Sequence, residues 1–307
     1  MGAMESWGFV LMMGLVSLFS DMTYEGARGV VGPFLLHLGA PAVAVGFAAG
    51  FGEFLGLGLR LGSGILADRT RGYWALVLLG YALTLASVPL LGLSPTWRVA
   101  VALMLADRVG KAIRAPSRDA LLSSIADSRG AGKVFGIHEA LDQVGAVAGP
   151  LLVAFLLGFG LSYRLTLLSL AVPAAAAMAF LLMAKRLYGG TARAEGSTPR
   201  GLFGLKELRR EFWLYLMASS LVGAGFFDFP LLAYMMGKAG LEARSISLLY
   251  ALAMGVDALA ALAMGLIFDR VGLKALFPAV IAGVLGPALA ILGGDEFLVG
   301  LGVALWG

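Results

Sequence analysis

The sequence predicts an all-α protein that crosses a membrane many times and is built from two related helical bundles. Three observations predict it. Of its 307 residues, 60% are hydrophobic and 14% charged, with a mean hydropathy of +0.90, which is more apolar surface than one soluble core can bury. That surface comes in runs long enough to cross a bilayer as helices, which takes roughly 20 residues at about 1.5 Å each. Finally, a short charged turn recurs. Gly64-Ile65-Leu66-Ala67-Asp68-Arg69 links two apolar runs and Gly265-Leu266-Ile267-Phe268-Asp269-Arg270 links two others, with 201 residues between the aspartates. Recurrence at matching points of the hydropathy pattern marks a duplicated unit.

In chain order the runs cover 7–38, 41–67, 73–93, 97–120, 134–157, 163–183, 212–236, 246–268 and 273–292. A tenth starts near Phe297 and reaches Gly307, too short a stretch to span, so the chain is expected to be part of a longer protein. The organisation predicted is a six-helix N-terminal bundle over 1–186, a cytoplasmic linker over 187–211, and about three and a half helices of a second bundle over 212–307. The linker is rich in Gly, Arg, Glu, Ser and Pro, and its last part, 202–212, alternates apolar and charged residues as a helix lying on a membrane surface does.

Basic residues set the orientation, because cytoplasmic loops retain them during insertion. With the N-terminus cytoplasmic, 16 of the 23 Lys and Arg fall at cytoplasmic ends, including Lys111, Arg114 and Arg118, against Arg98, Arg164, Lys238 and Arg244 outside. The net charge of +4 therefore marks topology, and no nucleic acid is expected as a partner. Cysteine is absent, which excludes disulfides and thiolate metal sites. No basic segment precedes the first run, so no cleavable signal is expected. No phosphate-cradling Gly-x-x-x-x-Gly-Lys-Ser/Thr loop is present, which argues against an intrinsic ATPase, and neither cofactor nor metal is expected.

The chemical content lies in charges placed within spans. Eight carboxylates fall there, Asp21, Glu25, Glu53, Asp107, Glu139, Asp142, Asp228 and Asp257, opposed by Arg28, Arg60 and Arg108, which leaves five unmatched. Each ionised carboxylate at membrane depth costs at least about 2.5–3.5 kcal/mol, so several should be neutral or face water, as suits groups that bind and release protons. Asp21, Glu25 and Arg28 are spaced i, i+4, i+7 and share one helical stripe. A Glu25–Arg28 pair locking two helices is the structural alternative for that stripe.

These turns resemble the signature of the major facilitator superfamily, Gly-x-x-x-Asp-Arg/Lys-x-Gly-Arg/Lys-x-Arg/Lys, at Gly64, Asp68 and Arg69 and again at Gly265, Asp269 and Arg270. Arg71 stands where the family has Gly. In the fifth run, Gly136, Gly145, Gly149 and Pro150 resemble the family's antiporter pattern Gly-x8-Gly-x3-Gly-Pro. Close helix packing by small residues is the alternative reading of it. Arg108 resembles the family's fourth-helix arginine linked to proton transfer, and a neutralising Asp107/Arg108 arrangement is the alternative there.

The resemblance implies two bundles rocking about a central cavity lined by the first, fourth, seventh and tenth helices. It favours Asp21, Glu25, Arg28, Arg108 and Asp228 as coupling or cavity residues, with Glu53, Asp107, Glu139, Asp142 and Asp257 second. The family's partner for Asp68 lies in an eleventh helix, so Asp68 is expected here without one. The implied function is secondary active transport of a small solute, as proton-coupled efflux or antiport of the multidrug kind, in a prokaryotic plasma membrane, with the full-length protein a monomer. The alternative is proton-coupled uptake of a sugar or other small metabolite. A membrane phosphotransferase is a third reading, since Asp21-Met22-Thr23-Tyr24-Glu25-Gly26-Ala27-Arg28 is similar to the start of the CDP-alcohol phosphotransferase motif. Positions 38–52 lack the acids needed to complete that metal site.

Overall fold

A computed structural model describes residues 3–129, 131–190 and 227–307, with Arg210, Trp213, Leu214 and Met217. The expected surface helix at 202–212 lies, apart from Arg210, outside the described residues. What is described is helical. The first five runs are α1 (Ala3–His37), α2 (Ala42–Thr70), α3 (Tyr73–Leu90), α4 (Trp97–Arg129) and α5 (Ala131–Gly158). The sixth is split into α6 (Tyr163–Ser169) and α7 (Ala171–Tyr188) at Leu170, where Pro173 removes a backbone donor. There follow α8 (Phe229–Lys238), α9 (Ala243–Val271), α10 (Leu276–Leu292) and α11 (Glu296–Trp306).

α1 is the hub of the first group. It packs along α5 and α7, while α2 and α3 clasp α4. In the second group α11 lies on α10 and α9, and the two groups meet where α1 touches α8 and α9 and where α5 runs beside α9. Large apolar side chains such as Phe54, Phe155, Phe159, Val172, Phe277 and Leu292 point outward, as side chains that face lipid do.

Six helical segments are long and apolar enough to cross a membrane, and α4 is not among them. Its composition is spoiled by Asp107, Arg108, Lys111, Arg114 and Arg118, yet α2, α3 and α5 enclose it, so these charges face protein. Lys111, Arg114 and Arg118, counted in the sequence with the cytoplasmic ends, are thus covered by neighbouring helices. Arg114 is 1% exposed, with its Cζ 4.3 Å from the Tyr81 ring centre, and Lys111 Nζ sits 4.3 Å from the Tyr24 ring centre. Six bases thus stand against the eight acids, and the predicted excess of negative charge largely disappears. Without the three, the cytoplasmic set falls from 16 to 13, still against four.

One end of the molecule is closed by three matching helix caps. Gly39, Gly160 and Gly240 adopt φ of 73°, 79° and 98°, and the next residue's N–H reaches back to the preceding helix (Ala40 to Leu35 O, 2.9 Å; Leu161 to Leu156 O, 3.3 Å; Leu241 to Met236 O, 3.1 Å). At the opposite end the repeated turns also need a left-handed residue. The second copy supplies Gly272 at φ 62°, the first supplies Arg71 at φ 53°. A side chain in that conformation costs about 1–2 kcal/mol, which is the physical reason for Gly in the family pattern. Arg71→Gly is therefore expected to stabilise the α2–α3 turn by about 1 kcal/mol, read as a rise in the thermal midpoint in detergent. Asp68, expected to lack its family partner, accepts a hydrogen bond from Tyr73 Oη at 2.9 Å across the turn instead. Gly64 lies against Pro116 of α4, and Arg69 and Arg270 are exposed. The side chain of Asp269 and the surroundings of Gly265 are outside the described residues.

Candidate functional site

The seventh run is not one continuous helix. Phe227 and Asp228 are non-helical, and α8 begins at Phe229 in the middle of the predicted run. Asp228 is the N-cap, with extended backbone (φ −71°, ψ 143°), its Oδ1 accepting from Phe229 N at 2.9 Å, and Pro230 follows in the first turn where no donor is needed. Trp306 Nε1 donates to Phe227 O at 2.6 Å, so a tenth-run side chain closes the break. The positive end of α8 favours an ionised carboxylate at this point.

Two arginines of the first group converge on it. Arg28 of α1 donates to Asp228 Oδ1, and Arg108 Nη2 of α4 lies 3.3 Å from Oδ2. Each arginine also has an acid on its own side. Arg28 Nη1 is 3.7 Å from Glu25 Oε2, and Arg108 Nη1 is 2.7 Å from Glu53 Oε1 of α2 while also donating to Tyr24 Oη. Glu25 takes a second bond from the other group, Tyr250 Oη of α9 at 2.5 Å. The predicted stripe Asp21, Glu25, Arg28 exists, but Arg28 does not serve only as Glu25's internal partner; it reaches across to Asp228. Phe229 stacks on Tyr250 at 4.1 Å between ring centres and lies 5.3 Å from Trp306, in a buried aromatic cluster with no lipid contact. A cavity of about 30 Å³, enough for roughly one water, is lined by Tyr24, Arg28, Asp107, Arg108 and Pro230. Tyr24, Tyr250, Trp306 and Lys111 were not among the predicted site residues. Only the signal Asp228-Phe229-Pro230, an N-cap followed by a first-turn proline, was available in the sequence to announce the break.

A second polar cluster lies within the first group, at the level of Asp21. Ser17 Oγ donates to Asp142 Oδ1 of α5. Beside them His138 is buried. Among the described residues Ser20 Oγ, Tyr81 Oη, Arg114 Nε, Ser117 Oγ and His138 Nε2 have no hydrogen-bond partner. Asp257 of α9 accepts from Gln143 Nε2 of α5 at 3.2 Å, a further polar link between the groups. Glu139 is exposed and Asp107 is buried.

Towards the Gly39 end the two groups are shut. A Cβ added at Gly32 of α1 would strike Pro230, Ala233 and Tyr234, one added at Gly29 would press lightly on Tyr250, and Tyr234 Oη donates to Ala40 O at 2.9 Å. Within the first group, Gly145 and Gly149 bring α5 onto the α1 backbone at Leu18, Met22 and Gly26. Pro150 sits inside α5 next to that crossing. Gly136 is different, with nothing within 4 Å of an added Cβ.

A family model described as the Major Facilitator Superfamily matches residues 9–307. The chain belongs to the major facilitator superfamily. Among its relatives, an uncharacterised protein of Mycobacterium tuberculosis is 42% identical over 315 residues, covering 99% of this chain and 76% of the relative. An MFS-type transporter of Methanocaldococcus jannaschii, itself uncharacterised, is 30% identical over 215 residues, covering 69% of this chain and 52% of the relative. The fold is that of the nucleoside transporter NupG (TM-score 0.77, 15% identity, 97% of this chain and 79% of that one). It is also that of a bacterial homologue of the human lysosomal transporter Spinster, solved inward-facing and unoccupied (TM-score 0.68, 16% identity, 100% of this chain and 74% of that one). This superfamily member is accordingly an integral, multi-pass membrane protein with the architecture of a secondary transporter.

Proposed function

We propose that this protein moves a small solute by proton-coupled alternating access, with residues 1–186 and 212–307 as the two rocking bodies and 187–211 joining them. The observation that supports it most is Asp228, one carboxylate held by Arg28 and Arg108 of the opposite group at the point where the seventh run breaks. That bond exists only while the bodies are closed at the Gly39 end. When they part, Arg28 keeps Glu25 and Arg108 keeps Glu53, but Asp228 loses both arginines and needs a proton or a cation in their place. An electrostatic latch of this kind ties a conformational change to ion binding.

With the N-terminus cytoplasmic, the Gly39 end faces outward, so the arrangement described is closed to the outside, in what we take to be a prokaryotic plasma membrane. We assign the cycle to efflux or antiport, on the family pattern in α5. Uptake of a small polar metabolite by symport is the second reading, favoured by one observation: contact with α1 accounts for Gly145 and Gly149 without any transport direction. Reconstitution of the full-length protein in proteoliposomes tests the proposal. Solute flux is expected to follow an imposed pH gradient and to stop when a protonophore collapses it. Flux that ignores the gradient would remove proton coupling, and the direction of flux relative to the proton separates the two readings.

A further inference from the structure

We infer that one anionic phospholipid lies over the seam between the two groups, with its phosphate between Arg164 and Arg244 at the Gly39 end and an acyl chain in a groove along α5 and α9. A second short repeat places the two arginines. Gly160-Leu161-Ser162-Tyr163-Arg164 and Gly240-Leu241-Glu242-Ala243-Arg244 both read Gly-Leu-x-x-Arg, and each opens on a left-handed cap glycine. One arginine from each group therefore stands four residues past a cap, at the same end of the molecule.

Both arginines line one cavity of about 340 Å³ between the groups, together with His37, Tyr163 and Glu242. Arg244 reaches over to the other group: a Cβ added at Gly158, the last residue of α5, would lie 3.2 Å from its Cζ. Among the described residues neither guanidinium has an ion pair or a side-chain hydrogen bond, and Glu242 has no ion pair. Two arginines against one glutamate leave the cavity one positive charge in excess. A single phosphodiester balances that charge, and its oxygens match the planar fork of a guanidinium.

The same two helices continue the site into the membrane as an apolar groove of about 480 Å³, lined by Val147 and Leu151 of α5 and by Leu248, Leu252, Gly255 and Leu259 of α9. Counted from Arg244, these α9 positions fall at i+4, i+8, i+11 and i+15, a single helical stripe. From Leu248 to Leu259 the stripe runs about 16 Å at 1.5 Å per residue, close to one leaflet of a hydrocarbon core about 30 Å thick. Leu151, Leu248, Leu252 and Leu259 are all exposed, so the groove opens outward. A free phosphate would use the cavity and leave the groove empty, and an uncharged lipid would use the groove and leave the arginines unpaired. An anionic phospholipid uses both. Because Arg164 belongs to the first group and Arg244 to the second, a phosphate held by the two favours the form in which this end is shut.

Native mass spectrometry of the full-length protein in a neutral detergent, titrated with phosphatidylglycerol or with phosphatidylcholine, tests the assignment. Wild type should hold one phosphatidylglycerol more tightly than any further copy and more tightly than phosphatidylcholine. Arg164→Gln combined with Arg244→Gln should weaken that first site by about tenfold and leave phosphatidylcholine binding unchanged. Gly255→Leu fills the groove from a position whose Cβ has open space, so it should fold and weaken the same site with both arginines in place. Equal retention of the two lipids by wild type, or a first phosphatidylglycerol site unmoved by the double arginine variant, would overturn the inference. If Gly255→Leu retains the lipid as wild type does and inorganic phosphate displaces it, the site is one for a soluble anion and the lipid assignment fails. A wild-type dimer that Gly255→Leu abolishes would assign the groove to a second copy of the chain and overturn it equally. Should the double variant fail to fold, the comparison of the two lipids on wild type and on Gly255→Leu still decides. The readout is binding at equilibrium, so it stands apart from whether and in which direction the protein transports.

Discussion

Replacing Asp228 by Asn should open the Gly39 end of the molecule. The variant keeps the size and the cap acceptor of the side chain but presents two buried arginines with a neutral group. Removing one partner from a buried charged pair costs about 3–5 kcal/mol, and the lower figure is apt because Arg28 and Arg108 are 19% and 12% exposed. Only the closed form bears that cost, since Glu25 and Glu53 remain with the arginines when the bodies part. A difference of about 3 kcal/mol moves the closed-to-open ratio by more than a hundredfold. The absence of cysteine makes the measurement direct. Leu38→Cys with Lys238→Cys places two spin labels at the closed end, one on each body. Wild type should give a short distance, and the Asp228→Asn background a longer one as the main population. A short distance persisting in that background would show that the packing of Gly29 and Gly32 alone holds the closed state.

How far the sequence reveals this site depends on which physical signal each part leaves. Run lengths and the duplicated turn announce the architecture, because span length and turn geometry are local properties. Even the departure at Arg71 is legible, as the family's Gly corresponds to a left-handed position in both copies. The break at Asp228 left a weaker trace in Asp-Phe-Pro, hidden by the apolar residues on both sides. The surroundings of α4 are half legible: Arg108, Lys111, Arg114 and Arg118 fall on one helical face of the fourth run, which cannot point at lipid, but only the clasp of α2, α3 and α5 shows what covers it. Tyr250 and Trp306 were invisible for another reason. Their roles arise from contacts 225 and 79 residues away along the chain, which no periodicity records.

The charge balance changes in meaning for the same reason. From sequence, five acids are uncompensated, and several must be neutral or face water for the chain to sit in a bilayer. With α4's bases counted as interior, the first bundle is close to neutral overall, and what remains is a question of arrangement: which acid sits beside another acid, and which is held by a base. Asp228 is the carboxylate held by bases, Arg28 and Arg108, and that follows from distances, not from counts.

Substitutions in α5 separate the packing reading of its glycines from a functional one. A Cβ at Gly149 would lie 2.8 Å from Gly26 N of α1 and press on Met22 O, both backbone atoms that cannot turn aside. Gly149→Ala should therefore cost about 1–3 kcal/mol, the usual range for overpacking, and Gly149→Leu should prevent a folded bundle altogether. Gly136→Ala has open space around the new atom and gains helix propensity, so its thermal midpoint should stay level or rise slightly, by an amount equivalent to at most about 1 kcal/mol. Flux then decides the matter. If Gly136→Ala melts like wild type and transports like wild type, the α5 pattern is a record of how tightly α1 and α5 must cross, and it says nothing about direction. If it melts like wild type and transport fails, the open space at Gly136 is needed by a state other than the one described, in which the lower parts of α5 and α9 come together.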